Sequence, residues 1–459
     1  MIHRNEMFAQ QSRGRVLLGL AGGMLVVASG LVAAYYVIGS KSEARAATPA
    51  VDTPTMAKGS VTPVLSKLAS REVAVKTTSG AVTLHWADLG VEIDPDEVRG
   101  SVATDADITA LASKAALPVK VDRTKAVAKL MELKRSHDTS PLNAWLDLED
   151  KKIHDDTPGQ GIDVWASLSR IEAGARQASP AIDLVTVPMP AAVTKATLGI
   201  DNISQVMGHY LTRFPVSDTL RNFNLKLAAS KINGLVLKPN EEFSFNGVVG
   251  ERSEKEGYKI AHVITAGEMV DGLAGGTCQI STTLFGAAFF AGLDIVKTSN
   301  HSRPSAYTPL GFDATVVWPD TDLKLKNPYE FPIAIHYRVA NGEAVVEILG
   351  KGRPYDKIVF ERHVLESTPY DTEERIDDEM ADGETSLDQA GFNGYTLQRF
   401  RRFYKDGKVV KSNKWDVVYK PVTEYVRRGT NKDPDAKKPQ QKDSHPLHAV
   451  DGDYYSMSQ

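Results

Sequence analysis

Apolar and polar residues alternate through Glu72–Thr77 and again through Ala81–Trp86, with Ser79-Gly80 between them. A period of two, broken by a glycine-containing turn, predicts a β-hairpin with one buried face. Farther along, the period lengthens. Val164, Leu168, Ile171 and Ala175 recur at helical spacing and predict a helix over 163–177, and helices are also expected over 105–116 and 124–134. Short strands are expected at Ala144–Leu148 and Ile182–Val187, the latter running toward Pro188 and Pro190. Arg221–Gly234 reads as a helix ended by Asn233-Gly234. Ile280, Leu284, Ala288 and Phe289 form the apolar stripe of another helix, which Gly292 ends. Phe331–Val339 and Glu343–Leu349 flank Asn341-Gly342, a strong hairpin signal. Phe400–Tyr404 and Lys408–Lys411 flank Asp406-Gly407 in the same way. This mixture predicts an α+β, multi-domain protein whose C-terminal part, 358–430, is a small all-β module.

One segment fits neither pattern. Val16–Gly39 carries no charge and is apolar on every helical face, long enough as a helix to cross a hydrocarbon core of about 30 Å. Arg4, Arg13 and Arg15 precede it, and Lys41 and Arg45 follow. The bias toward the N-terminal side predicts a cytoplasmic 1–15, a single-pass signal anchor at 16–39 and the bulk of the chain outside the cytoplasm, periplasmic or extracellular. A cleaved signal peptide, with Ala44-Arg45-Ala46 as the cleavage site, is the alternative, although the apolar run exceeds the usual signal core. Residues 40–67 are rich in Ala, Thr, Ser and Pro and read as a flexible linker. The polar stretch 431–459 reads as a disordered tail.

Composition narrows the function. Against 54 Lys+Arg stand 58 Asp+Glu, a formal net charge of −4. No basic surplus points to a nucleic-acid partner. The single cysteine, Cys278, excludes internal disulfides and any zinc site with two cysteine ligands. No cofactor is expected.

The chemistry concentrates around that cysteine. In Gly275-Gly276-Thr277-Cys278, the glycines permit positive φ and close backbone approach, and Thr277 is a candidate N-cap. Cys278 then falls in the first turn of a helix, where free N–H groups and the helix dipole favour a thiolate. His301 follows in a polar turn, and Asp313 opens the strand-like DATVVW. A thiol nucleophile needs a base and a group to orient that base. His301 and Asp313 are the candidates, with Gln279 or neighbouring backbone N–H groups as oxyanion donors. The order of the three resembles that of papain-like and transglutaminase-like thiol enzymes in topology. Arg252 and Arg303 are candidates for binding a carboxylate of a peptide substrate. Against this stands a buried, inert Cys278. A metal site of Cys278, His262 and His301 lacks close ligand spacing, so no metal is expected. His336, on a predicted strand, reads as structural.

The segments EFSFNGVVGER, GGTCQISTTL, HSRP and GFDATV resemble the VanW family; the resemblance runs from near Gly208 to Gly352, within a VanW-like domain expected over 196–352. Pro239-Asn240-Glu241 stands where that family usually has Pro-Gly-Glu, and Ala274-Gly275-Gly276 replaces a glycine triplet. Cys278, Gln279, Ser281, Thr282, His301, Arg303 and Asp313 fall on motif positions. The resemblance adds Ser281 and Thr282 to the candidate substrate-binding set but carries no settled activity. VTLHWADLGVEI, PLNAWLDLEDKKIHDDTPGQGIDV and LVTVPMPAAVT make 68–195 similar to the YoaR-like peptidoglycan-binding domain. Gly383, Gly391, Gly394, Gly407 and Gly429, with TPYDTEERIDDEM, resemble the five-glycine domain, a proposed N-acetylglucosamine binder. These resemblances imply a cell-envelope protein with peptidoglycan as partner. Two functions stay open: thiol acyl transfer or hydrolysis on stem peptides, and non-catalytic wall binding or scaffolding.

Overall fold

The first hairpin forms where the alternation places it. Strands β1 (Glu72–Thr77) and β2 (Gly80–His85) pair antiparallel from Glu72–His85 to Thr77–Gly80. Val73 and Val75 face inward and meet α1 (Arg123–His137) and α2 (Val164–Gln177) through Trp86, Leu130 and Ile171. Both helices start on an aspartate whose carboxylate accepts first-turn N–H groups: Asp122 from Thr124 and Lys125, Asp163 from Ala166. β3 (Ala181–Asp183) lies parallel to β1. The single strand expected over 182–187 is two, β3 and Thr186–Met189, the second pairing with Gly159–Ile162. The break falls at Val185, which hydrogen-bonds to Ser167 and Asp163 on the helix side instead of continuing β1's ladder.

This computed structural model describes residues 67–94, 118–265, 268–440 and 454–459. The expected membrane span at 16–39, most of the linker and the helix expected over 105–116 lie outside them. Among the described residues, no helix is long and apolar enough to cross a membrane.

The central domain has a four-stranded sheet. β4 (Gln205–Arg213) pairs with β6 (Glu343–Gly350), β6 with β5 (Ile333–Ala340), and β5 with the short Val236–Leu237. Asn341 (φ 52°) and Gly342 (φ 80°) make the predicted hairpin turn between β5 and β6. Helix α3 (Thr219–Ser230) packs on β5, and α4 (Thr277–Ala291) crosses β4 and β6. The sequence shows α4 as a stripe. In the fold every residue of it except Cys278 is buried, because a second layer covers its other side.

That layer comes from the C-terminal module. β7 (Lys357–Thr368), β10 (Gly394–Lys405), β11 (Lys408–Tyr419) and β13 (Tyr454–Ser458) form one antiparallel sheet in the order β11-β10-β7-β13. β8 (Thr372–Ala381), β9 (Thr385–Gln389) and β12 (Glu424–Asn431) form a second, in which β8 and β12 run parallel. The all-β expectation therefore fits, but the module does not keep a core to itself. Ile358, Phe360 and Phe403 belong to the same buried cluster as Phe285, Phe289 and Phe312. The Phe360 ring lies 4.6 Å from that of Phe312 and 6.0 Å from that of Phe289. Arg401 reaches from β10 to the C-terminal end of α4, donating to Leu293 O at 2.8 Å and Phe289 O at 3.4 Å. A buried guanidinium there meets the negative end of the helix dipole. The expected disordered tail is likewise corrected. Residues 454–458 pair with β7, and Lys437 bonds to Glu379, because unpaired edges of both sheets are there to receive them.

β4 and α4 approach so closely that a side chain is excluded between them. A Cβ on Gly208 would lie 2.2 Å from Ala291 N. Backbone cannot yield as a flexible side chain can, so Gly208→Ala is expected to cost about 3 kcal/mol or more. Thermal unfolding of the variant checks this, and an unchanged melting temperature would contradict the packing.

Candidate active site

α4 begins at Gly276, whose φ of 100° only glycine adopts easily. The N-cap is thus Gly276 and not Thr277. Thr277 is the first helical residue, and its hydroxyl bonds back to Ala274 O. In the first turn Thr277 N–H donates to Ala274 O, and Gln279 and Ile280 N–H donate to Gly276 O. The Cys278 N–H has no acceptor among the described residues. Cys278 keeps part of its surface accessible on a helix that is otherwise buried.

Its sulfur lies against 313–316, which belongs to no strand, in contrast to the strand read from DATVVW. As a thiol, Sγ can donate to Val316 O at 3.4 Å. As a thiolate it can accept from the Thr315 hydroxyl at 3.3 Å and from Val316 N–H at 3.5 Å. His301 and Asp313 are both buried. His301 Nδ1 meets Asp313 Oδ2 at 2.6 Å, and the His301 backbone N–H donates to the same oxygen at 2.7 Å. With Nδ1 held by Asp313, and Ser305 Oγ also 3.1 Å from it, Nε2 is the nitrogen left for the thiol.

The electrostatics follow this geometry. Burial works against ionisation of Cys278. The hydrogen bond and charge of His301 outweigh it, helped by Thr315 and Val316, and bring the thiol down to about 7. Burial also opposes the imidazolium, but the Tyr307 oxygen, Asp313 and Cys278 hold His301 well above its ordinary value. Asp313, despite burial, stays below the usual carboxylate range because His301 and Tyr419 both donate to it. Both shifts run toward a thiolate–imidazolium pair at and above neutral pH. Two arginines feel the same thiolate: Arg221 and Arg252, each lowered by burial and raised again by the charge of Cys278 among others.

The remaining predicted residues separate into two groups. Arg252 lies near the sulfur's field, with Nη1 donating to Asn246 Oδ1 at 2.6 Å and Gly250 O at 3.1 Å. Gln279, Ser281 and Thr282 are buried and engaged inside the protein. The Gln279 amide donates to Thr212 Oγ1 and Arg213 O and accepts from Arg221 Nη2 at 2.7 Å, so its side chain is not a free oxyanion donor. Ser281 and Thr282 hydroxyls both bond Ala314 O, tying α4 to the segment that carries Asp313. Their place one turn inside a helix covered on both sides keeps both hydroxyls away from solvent. Arg303 is buried as well, its guanidinium 4.7 Å from the Phe392 ring centroid of the C-terminal module. His336 is structural in the manner expected, lying 3.0 Å from Glu347 and 3.4 Å from Glu149.

Sequence reasoning missed Thr315, Arg221 and Tyr419. Thr315 lies within the GFDATV segment already singled out, so proximity to Asp313 could have found it. Arg221 opens the helix whose apolar spacing alone was read. Tyr419 has no local signal: it bonds Asp313 Oδ1 from a strand 106 residues away.

The class is an α+β domain with a half-buried, acidified thiol at the start of its central helix, backed by an all-β module. Residues 220–349 match the family described as "VanW like protein", and residues 361–431 match the family described as "G5 domain". The chain carries a VanW-like domain followed by a G5 domain. It is 43% identical over 145 residues to "Uncharacterized protein YoaR" of Bacillus subtilis (strain 168), covering 32% of this chain and 48% of that protein. It is 31% identical over 137 residues to "Vancomycin B-type resistance protein VanW" of Enterococcus faecalis (strain ATCC 700802 / V583), covering 29% and 50%. The chain thus spans about half the length of these curated relatives. Among solved structures, "Crystal structure of HP0197-G5" matches 16% of this chain and 97% of that chain at 23% identity and a TM-score of 0.10. "IgA1 Protease G5 domain structure" matches 18% and 100% at 18% identity and a TM-score of 0.12.

Proposed function

We propose that this is a cell-wall-associated thiol enzyme that transfers or hydrolyses acyl groups of peptidoglycan stem peptides, held at the membrane by 16–39. The observation that carries the chemistry is Cys278, the one accessible residue of α4, paired with the buried His301–Asp313. The G5 domain and the kinship with YoaR and VanW support the wall as the site of action. In the reaction, the Cys278 thiolate attacks an amide carbonyl carbon. The developing oxyanion lies where the Cys278 N–H can donate to it. His301 gives its Nε2 proton to the leaving amine as the C–N bond breaks, leaving a thioester on Cys278. His301, now neutral, takes a proton from water or from an acceptor amine that attacks the thioester, and the thiolate is released. Asp313 holds the imidazole tautomer throughout.

Incubating the full chain with stem peptides and analysing it by mass spectrometry tests this. A hydroxylamine-labile adduct on Cys278 is expected, and none on Cys278→Ala. Absence of both adduct and turnover, with Cys278 still alkylated readily in the folded protein, sinks the enzymatic reading in favour of wall binding alone.

A further inference from the structure

We propose that Tyr419, a residue of the G5-domain sheet, is a positioning residue for the VanW-domain site: its hydroxyl fixes Asp313 and thereby the imidazole that faces Cys278. The consequence for catalysis rests on the reading of Cys278 as a nucleophile; the geometry does not.

The Tyr419 hydroxyl accepts from Gly311 N–H at 3.1 Å and donates to Asp313 Oδ1. Asp313 Oδ2 takes the two donors of His301. Both carboxylate oxygens are therefore occupied, one from each domain, and the plane of the carboxylate is set by the pair. Asp313 is 1% exposed and Tyr419 2%. If the hydroxyl is lost, burial keeps bulk solvent from replacing it, and a charged oxygen is left without its donor. Arg399, on the strand beside β11, donates to Gly311 O at 3.2 Å and holds the same turn from its other face. Burial and the neighbouring Asp313 charge keep the phenol well above its ordinary value, so it remains a neutral donor across the useful pH range. The relay Gly311–Tyr419–Asp313–His301 ends at the thiol. A VanW-like domain without the G5 sheet would lack one member.

The titratable and charged groups facing the thiol are His301, Arg221, Arg252 and Tyr307. Those facing Asp313 are His301, Tyr419, Arg399 and Tyr307. Tyr419 is not among the groups facing the thiol, so an effect at Cys278 must pass through Asp313 and the groups common to both sets, His301 and Tyr307.

The test is the rate of iodoacetamide alkylation of Cys278 against pH in the full chain. Tyr419→Phe, folded by circular dichroism, should raise the midpoint by about one unit, leaving about 5-fold less thiolate at pH 7. Phe403→Leu should lower stability without moving the midpoint, because the Phe403 ring packs on Tyr355 and Arg401 and not on Asp313 or Arg399. In an Asp313→Asn background, Tyr419→Phe should add nothing further. An unmoved midpoint in folded Tyr419→Phe, an equal shift in Phe403→Leu, or an additive shift in the double variant overturns the proposal. In the unsubstituted protein the Tyr419 hydroxyl proton should appear downfield by NMR and exchange slowly. Fast exchange overturns the proposal whether or not the variant folds. Failure of His301→Ala to move the midpoint is a separate result, and it overturns the Cys–His reading itself.

Discussion

Phe360→Ala is expected to lower the melting temperature of the folded unit by about 10 °C, corresponding to about 3–5 kcal/mol lost with a fully buried ring. The loss should appear in the same transition that unfolds the VanW-like domain. Phe360 belongs to the C-terminal module by sequence, yet its ring contacts Phe289 of α4 and Phe312 in the segment before Asp313. Arg401 and Phe403 of the same sheet also enter that core. Two modules that share a core unfold together. Scanning calorimetry decides the matter. A separate low-temperature transition that alone absorbs the Phe360→Ala change would show the G5 domain to be an independent unit.

His301→Ala is expected to move the midpoint of Cys278 alkylation from about 7 to the free-thiol value near ~8.5 or above. The sign follows from what each group does to the thiolate. His301 stabilises the charged form, burial opposes it, and removing the histidine leaves burial in command. At pH 7 the thiolate fraction should fall about 15-fold, while the more basic sulfur becomes about 5-fold more nucleophilic, so the alkylation rate itself changes only about 3-fold. The midpoint is therefore the readout, and the rate at one pH is a poor one. Acyl transfer should fall much further, about 10²–10⁴-fold, because the proton for the leaving amine is also lost. A midpoint that stays near 7 in the variant would leave the helix N-terminus as the main source of acidity.

The sequence by itself determined what short-range physics controls. Period-two alternation placed β1 and β2, the spacing of Val164, Leu168, Ile171 and Ala175 placed α2, and Asn341-Gly342 made its hairpin. The glycines before Cys278 required a turn into a helix, which put the thiol in a first turn, and the downstream His301 and Asp313 were legible as a base and its orienter. Everything that depended on which face meets which partner was decided by the tertiary structure. A helix reads as one apolar stripe until a second layer covers it, so burial of Gln279, Ser281 and Thr282, and the accessibility of Cys278 alone, could not be read from spacing. The Gln279 amide is engaged by Arg221 and Thr212, which lie on other elements. The C-terminal glycines suggested a module with its own boundary, but hydrophobic burial is non-directional and is satisfied by whichever apolar surface is near. The rings of α4 and the inner face of the G5 sheet share one buried cluster. Tyr419 came to Asp313 by that merger, since a hydrogen bond between residues so distant in sequence exists only once the core between them has formed.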